Sequence, residues 1–128
     1  GRVLVVDDEP DIRKVVRMTL QKAGYEVIEA ENGEKAIEAI NTGEHRLLLD
    51  VLICDIRMPK INGVEAIAYF QQEWPRVPII VLTGFPDTDM ATSFLRSGVV
   101  DYLVKPVEGE KLRTAVARAM EQRELAQL

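Results

Sequence analysis

Acidic, hydroxyl and amine side chains follow four short apolar stretches of this sequence, each at the point where the stretch ends. Asp7 and Asp8 come after "RVLVV", Asp55 after "DVLIC", Thr83 after "VPIIVL" and Lys105 after "VVDYLV". If these groups share one site, two carboxylates about 4 Å apart repel by on the order of 4 kcal/mol at an effective dielectric constant of ~20. Lys105 supplies too little positive charge for three carboxylates. Mg²⁺ prefers oxygen ligands and accepts a phosphate oxygen, so it would complete the balance.

Phosphoryl transfer onto a carboxylate is the reaction that suits this set of side chains. Asp55 ends the apolar part of "VLICDIRMP", so a buried strand would hold its carboxylate rigidly as a nucleophile. In such transfers catalysis is mostly positioning and neutralisation of charge. The metal and Lys105 would offset charge on the phosphoryl oxygens, and Thr83 would offer one hydroxyl.

The elements that must position these groups are strands and helices in alternation. Five stretches have the length and β-branched content of strands, at residues 2–6, 26–30, 50–54, 77–82 and 99–104. Apolar stripes of helical period lie at 12–23, 36–40, 64–70, 90–95 and 112–120, and Gly24 and Gly98 are expected to end the first and fourth helices.

This alternation predicts a doubly wound α/β domain. Three of the strands are apolar almost throughout, which is typical of a parallel sheet covered on both faces. Parallel strands open their carboxyl ends onto one edge of the sheet, where functional groups collect.

Composition narrows the class of protein. With 128 residues we expect one domain, and a net charge of −5 disfavours direct binding to nucleic acid. No apolar run approaches the length of about 18 residues that spans a bilayer, and the sequence opens on no signal-peptide pattern. The single Cys54 and single His45 exclude an internal disulfide and the usual Cys/His zinc site. We therefore expect a soluble domain in a reducing, cytoplasmic setting.

Four motifs in this order resemble the response regulator receiver domain of two-component signalling. They are "VVDDEP" at 5–10, "DIRMPKING" at 55–63, "VLTG" at 81–84 and "DYLVKP" at 101–106. The resemblance covers essentially residues 1–128. It implies a flavodoxin-like three-layer α/β/α sandwich of five parallel strands in the order 2-1-3-4-5, as in a chemotaxis receiver.

The resemblance also implies roles for the acidic residues. Asp55 resembles the phosphoacceptor, which receives its phosphoryl group from a histidine kinase or a phosphotransfer protein. Asp55 and Asp8 resemble direct ligands of Mg²⁺, Asp7 one that acts through water, and Arg57 a ligand through its backbone carbonyl. The domain would then be a signalling phosphoacceptor rather than an enzyme.

The remaining motif residues resemble the parts that sense the phosphoryl group. Lys105 resembles the cation that pairs with it, and the bond to Pro106 would be cis. Thr83 and Tyr102 resemble the switch pair, whose movement repacks the face of helix four, strand five and helix five. Partners bind that face in the family, and a homodimer through it is one of the partners we consider.

Each of these residues has a plainer interpretation. Asp7 and Asp8 would also suit the N-terminus of a helix near Pro10. Thr83 and Lys105 would also suit ordinary loop positions, and Tyr102 a half-buried strand position.

Three other functions compete with the receiver. A metal-dependent phosphatase with an aspartyl nucleophile normally has Asp-x-Asp after its first strand, where this sequence has adjacent acids. A nucleotide-binding module would need a glycine-rich phosphate loop that the sequence lacks. An interaction domain that cannot be phosphorylated would not need the intact set of chemical residues.

Two features distinguish this chain within the resemblance. Arg57 and Phe85 lie two residues after Asp55 and Thr83, where bulky side chains would hinder attacking water, so we expect a slowly hydrolysed phosphate. The last predicted helix continues past its apolar stripe, so residues 117–128 are either the start of a linker helix to an effector domain or a frayed end.

Overall fold

Strands and helices alternate along the part of the chain that the structure describes, as predicted. The computed structural model describes residues 1–42, 49–56 and 63–126. The elements are β1 (Arg2–Val6), α1 (Pro10–Lys22), β2 (Glu26–Ala30), α2 (Gly33–Asn41), β3 (Val51–Cys54), α3 (Gly63–Glu73), β4 (Ile79–Thr83), α4 (Thr88–Arg96), β5 (Asp101–Val104) and α5 (Gly109–Ala126).

The strands form one parallel sheet in the order β2-β1-β3-β4-β5, which confirms the order that the resemblance implied. Successive side chains of a strand point to opposite faces. Leu4 and Leu52 pack with α2, α3 and α4 on one face, whereas Val5 and Ile53 pack with α1 and α5 on the other. The central strands are apolar almost throughout because both of their faces are covered.

Glycines end two of the helices. Gly24 follows α1 with a φ of 95°, and Gly98 follows α4 with a φ of 106°, as the sequence predicted. Both values lie in the left-handed region that glycine adopts without steric cost. The chain therefore turns sharply after each helix to enter β2 and β5.

Some predicted details were wrong. Val15 and Leu95 belonged to predicted buried stripes, but they are 56% and 49% exposed. In α3 the buried alanine is Ala66, and Ala68 faces solvent. A helical period gives the direction of an apolar stripe, but the neighbouring elements decide how much of its width they cover. No helix in the described ranges combines the length and hydropathy needed to cross a bilayer.

Candidate functional site

The buried polar residues collect at the carboxyl edge of the sheet. Four polar or charged residues are buried in the described part of the chain, and three of them are Asp7 after β1, Asp55 after β3 and Thr83 at the end of β4. The fourth, Asn32, caps α2 by accepting from the Lys35 amide at 2.8 Å. Burial of polar groups needs compensation, so the three groups at one edge require a local partner.

For Asp7 and Asp55 that partner is the ammonium of Lys105. Its Nζ lies 2.7 Å from Asp7 Oδ2, 2.9 Å from Asp55 Oδ2 and 3.2 Å from Glu9 Oε1. The Lys105 side chain is only 9% exposed, and its backbone N–H donates to the Thr83 carbonyl at 2.8 Å. The bond from Lys105 to Pro106 is cis, as expected. The alternative that Lys105 is a solvated loop residue is therefore wrong.

The surroundings of Lys105 favour its charged form, whereas burial disfavours the ionised form of Asp7. Burial disfavours the ammonium, but the hydrogen bonds and charges of Asp7 and Asp55 exceed that effect and raise the pKa of Lys105 above its usual range. Burial also raises the pKa of Asp7, and the contacts with Lys105 and the Glu9 amide offset only part of that rise. Ionised Asp7 therefore costs free energy that a further cation would relieve.

Asp7 also has neighbours on α1. Its Oδ1 accepts from the Glu9 amide at 2.9 Å, and its backbone carbonyl accepts from Arg13 Nη1 at 2.6 Å. The N-cap residue of α1 is Glu9. Asp7 thus binds the amide of the N-cap residue itself and not those of the first helical turn, so the capping alternative does not explain its burial. Arg13 also forms an ion pair with Glu29, in which Nε lies 3.3 Å from Oε1.

The acidic residues fit a hard divalent cation. One carboxylate oxygen from each of Asp7, Asp8, Glu9 and Asp55 lies within 4.8 Å of the others. Asp7 Oδ2 is buried and, apart from its ion pair, has no aligned hydrogen bond among the described residues. An oxygen with unused lone pairs beside other carboxylates is a ligand set that suits Mg²⁺. The predicted carbonyl ligand of Arg57 lies outside the described residues.

Glu9 is the member of this set that our sequence analysis missed. It stands inside "VVDDEP", directly after the two acids that we selected. The presence of a third acid in the same motif was the feature that could have identified Glu9 as a member of the site. Because Glu9 is also the residue before a helix, the sequence alone gave no reason to turn its side chain toward Lys105.

The expected switch residues lie beside this site on the last two strands. Thr83 pairs with Val104 and Val81 with Tyr102 in the β4–β5 ladder. The buried Thr83 hydroxyl accepts from the Phe85 amide at 3.1 Å. The structure therefore brings Thr83 to the site, with Tyr102 on the neighbouring strand.

Tyr102 is half-buried and connects to the start of α4. Its ring stacks on Phe94 at a centroid distance of 6.4 Å, and its hydroxyl accepts from the Asp87 amide at 3.3 Å. Asp87 in turn caps α4 by accepting from the Met90 amide at 3.1 Å. A change in the position of Tyr102 would therefore reach the N-terminus of α4.

Cys54 is not part of the chemical set. It is fully buried in the core cluster that packs with α2, α3 and α4, and burial raises the pKa of its thiol well above the usual range. A buried, protonated thiol is unreactive.

Comparisons with known proteins point to one family. A family model described as the response regulator receiver domain matches residues 3–117. The transcriptional regulatory protein ZraR of Klebsiella oxytoca is 32% identical over 118 residues, which are 92% of this chain and 26% of ZraR. The response regulator protein PilR of Pseudomonas aeruginosa is 34% identical over 119 residues, 93% of this chain and 26% of PilR. The chain thus spans about a quarter of the length of these curated relatives.

Solved structures agree with the sequence relatives. A response regulator receiver domain protein from Clostridium thermocellum superimposes with a TM-score of 0.89 at 30% identity, covering 98% of both chains. NtrX from Brucella abortus, solved in complex with ADP, superimposes with a TM-score of 0.88 at 28% identity, covering 98% of this chain and 28% of that one. The likeness therefore extends over nearly the whole of this chain.

Proposed function

The chain belongs to the response regulator receiver domain family, and from that premise we propose that Asp55 is its phosphoacceptor. The observation that carries the proposal is the bridge from Lys105 Nζ to the buried carboxylates of Asp7 and Asp55 at the carboxyl edge of the sheet. A buried nucleophile beside a fixed ammonium is preorganised for an incoming anionic group.

The proposed step is transfer of a phosphoryl group from a phosphohistidine of a histidine kinase or phosphotransfer protein. A carboxylate oxygen of Asp55 attacks phosphorus, and the P–N bond breaks with its electron pair going to the imidazole. The imidazole takes a proton from water, and an acyl phosphate remains on Asp55. Lys105 offsets charge on the phosphoryl oxygens, and the Thr83 hydroxyl donates to one of them.

Mg²⁺ is the proposed cofactor. Asp7, Asp8 and Asp55, with the backbone carbonyl of Arg57, would hold it, Asp7 acting largely through water. When bound, the ion neutralises the carboxylates and the charge that builds on the phosphoryl oxygens. The exposed Asp8 lies at the mouth of the site, where it is accessible to an entering ion.

Thr83 and Tyr102 are the proposed switch. The Thr83 hydroxyl turns from the Phe85 amide toward the phosphoryl group, and the Tyr102 ring follows into the vacated space. Because the Tyr102 hydroxyl binds the residue that caps α4, this movement would reshape the face formed by α4, β5 and α5. Large apolar side chains stand exposed near that face, namely Phe85, Leu95 and Val104. Exposed apolar groups of this kind favour partner binding, including a homodimer through this face.

The whole protein would then be a cytoplasmic signalling protein and not an enzyme with turnover. We propose that residues 117–128 begin a linker helix to an effector domain, since the curated relatives are about three and a half times as long as this chain. Water ends the signal by attacking phosphorus and releasing inorganic phosphate from Asp55. With its net charge of −5, this domain would leave any nucleic-acid binding to the effector domain.

Acetyl phosphate with Mg²⁺ tests the phosphoacceptor directly. We expect an acid-stable, base-labile adduct that maps to Asp55, and its loss on chelation of the metal or in Asp55→Asn. Asp89→Asn, which changes an exposed acid in the first turn of α4, is the matched control and should keep the adduct. Release of phosphate from unrelated esters without an adduct would favour the phosphatase. A folded wild type that forms no adduct would favour the interaction domain.

A further inference from the structure

The Glu9 side chain has a placement that helix formation does not explain. Glu9 is the N-cap residue of α1, but its side chain makes no hydrogen bond to the first turn. Helices favour Ser, Thr, Asp or Asn at that position. The Glu9 side chain instead places Oε1 3.2 Å from Lys105 Nζ while remaining 59% exposed. The ion pair with Lys105 therefore accounts for its orientation.

Lys105 has as many carboxylate partners as it has N–H donors. An ammonium carries three donors. Among the described residues, the carboxylates that it contacts belong to Asp7, Glu9 and Asp55. The proposed reaction would engage two of these, because Asp55 would carry the phosphoryl group and Asp7 would help to hold the metal. Glu9 is the partner that the reaction leaves in place.

We propose that Glu9 is a positioning residue that keeps the Lys105 ammonium at the mouth of the site while Asp7 and Asp55 are engaged. This inference rests on the proposed phosphoacceptor role of Asp55. One N–H of Lys105 stays on Glu9, and the other two are released toward the phosphoryl oxygens. A charge-assisted bond at this point fixes the direction of those two donors.

Two substitutions of Glu9 distinguish a hydrogen bond that holds the Lys105 ammonium from a general effect of the negative charge at Glu9. Glu9→Gln keeps an acceptor oxygen at the same chain length, whereas Glu9→Ala removes it. At saturating Mg²⁺ and acetyl phosphate we expect the rate constant for labelling of Asp55 to fall about threefold to tenfold in Glu9→Ala. Glu9→Gln should stay within about twofold of the wild type, because the hydrogen bond persists.

A spectroscopic measurement reports the contact without phosphorylation. In protein labelled with ¹⁵N-lysine, and with Mg²⁺ as the added probe, a held ammonium exchanges its hydrogens slowly and gives a resolved signal. We expect the exchange rate of the Lys105 ammonium hydrogens to stay near the wild-type value in Glu9→Gln and to rise severalfold in Glu9→Ala, where Asp7 and Asp55 still contact the ammonium. Lys105→Arg assigns the signal. The matched control pair is Glu31→Gln and Glu31→Ala, at an exposed acid directly after β2, which should change neither measurement.

Three outcomes would overturn the proposal. Equal losses in the glutamine and alanine variants would mean that only the charge of Glu9 matters. A drop in Mg²⁺ affinity of more than about tenfold in Glu9→Gln would make Glu9 a metal ligand. An unchanged exchange rate of the Lys105 ammonium in Glu9→Ala would mean that Glu9 does not hold the ammonium. If the wild type forms no adduct on Asp55, the proposed function fails separately, and the Lys105 signal still tests the contact.

Discussion

Replacing Lys105 with methionine would remove the cation that holds two buried carboxylates together. Nζ lies 2.7 Å from Asp7 and 2.9 Å from Asp55. At an effective dielectric constant of ~20, each contact is worth about 6 kcal/mol, and desolvation of the ammonium offsets several kcal/mol of the total. The variant protein would bury these two carboxylates without the ammonium that they share, and we expect it to be strongly destabilised in metal-free buffer.

Protonation limits the size of that loss. The folded variant can neutralise one carboxyl by taking up a proton, and for a group with an ordinary pKa of 3.8 this costs about 4 kcal/mol at pH 7. We therefore expect the free energy of unfolding to fall by about 4 kcal/mol at pH 7, which is typical of a broken buried ion pair. At pH 5 protonation of one carboxyl costs less, so the loss of stability is limited to about 2 kcal/mol.

The direction of the pH dependence follows from proton linkage. Burial already raises the pKa of Asp7, and without Lys105 the pKa of the folded form rises further above its unfolded value. The folded variant then binds more protons than the unfolded chain, so its stability decreases as the pH rises from about 4 through the folded pKa. The penalty relative to the wild type should therefore grow between about pH 5 and pH 7.

Urea denaturation followed by fluorescence of Trp74, the single tryptophan, measures this penalty at each pH. Lys111→Met, at an exposed lysine of α5, is the matched control and should stay near the wild type. Saturating Mg²⁺ should stabilise Lys105→Met more than the wild type, because the ion replaces the missing positive charge. A penalty equal to that of the control, or one that does not change between pH 5 and pH 7, would refute the idea that Lys105 holds these carboxylates.

Two further predictions concern the signal rather than the resting site. Phe85 is 60% exposed and follows Thr83 by two residues, where its side chain would hinder water from attacking the aspartyl phosphate. An Arg57→Asn, Phe85→Ala variant should therefore release inorganic phosphate from Asp55 several-fold faster than the wild type. An equal lifetime of the phosphate would refute shielding by these residues. Phosphorylation should change the chemical shift of the Asp87 amide, and we expect Thr83→Ala to reduce that change by more than about half. The control is Thr92→Ala, at an exposed position of α4. An undiminished change would remove Thr83 from the switch.

The core of the site was predictable because it depends on strands alone. The uninterrupted apolar run before Asp55 marked a central parallel strand, and β3 is buried along its whole length. The carboxyl ends of parallel strands share one edge, so Asp7, Asp55 and Thr83 had to meet once the strands were identified. The cis bond before Pro106 came from the resemblance and not from physical reasoning.

The parts that were missed depend on side-chain directions outside regular structure. Glu9 has an extended backbone, with φ of −90° and ψ of 110°, in the short connection from β1 to α1. No hydrophobic period constrains a residue there, and its side chain can point to solvent, to the helix or to Lys105. The exposure of Val15 could not be predicted either, since it depends on how much of the α1 stripe the neighbouring elements cover and not on the period of α1 itself.

Charged side chains are arranged differently at the amino and carboxyl ends of the parallel strands. We take this difference as an argument that the carboxyl edge is suited to a reaction. At the opposite edge, Asp50 accepts from the Arg2 amide at 2.9 Å and faces Arg123 at 3.9 Å, so one acid meets one guanidinium. At the carboxyl edge, the carboxylates of Asp7, Asp8, Glu9 and Asp55 lie within 4.8 Å of one another, and all of them except that of Asp8 contact the ammonium of Lys105. This site holds several acids around one contacting ammonium, an arrangement that a bound cation would relieve, so we infer that it trades folding free energy for reactivity.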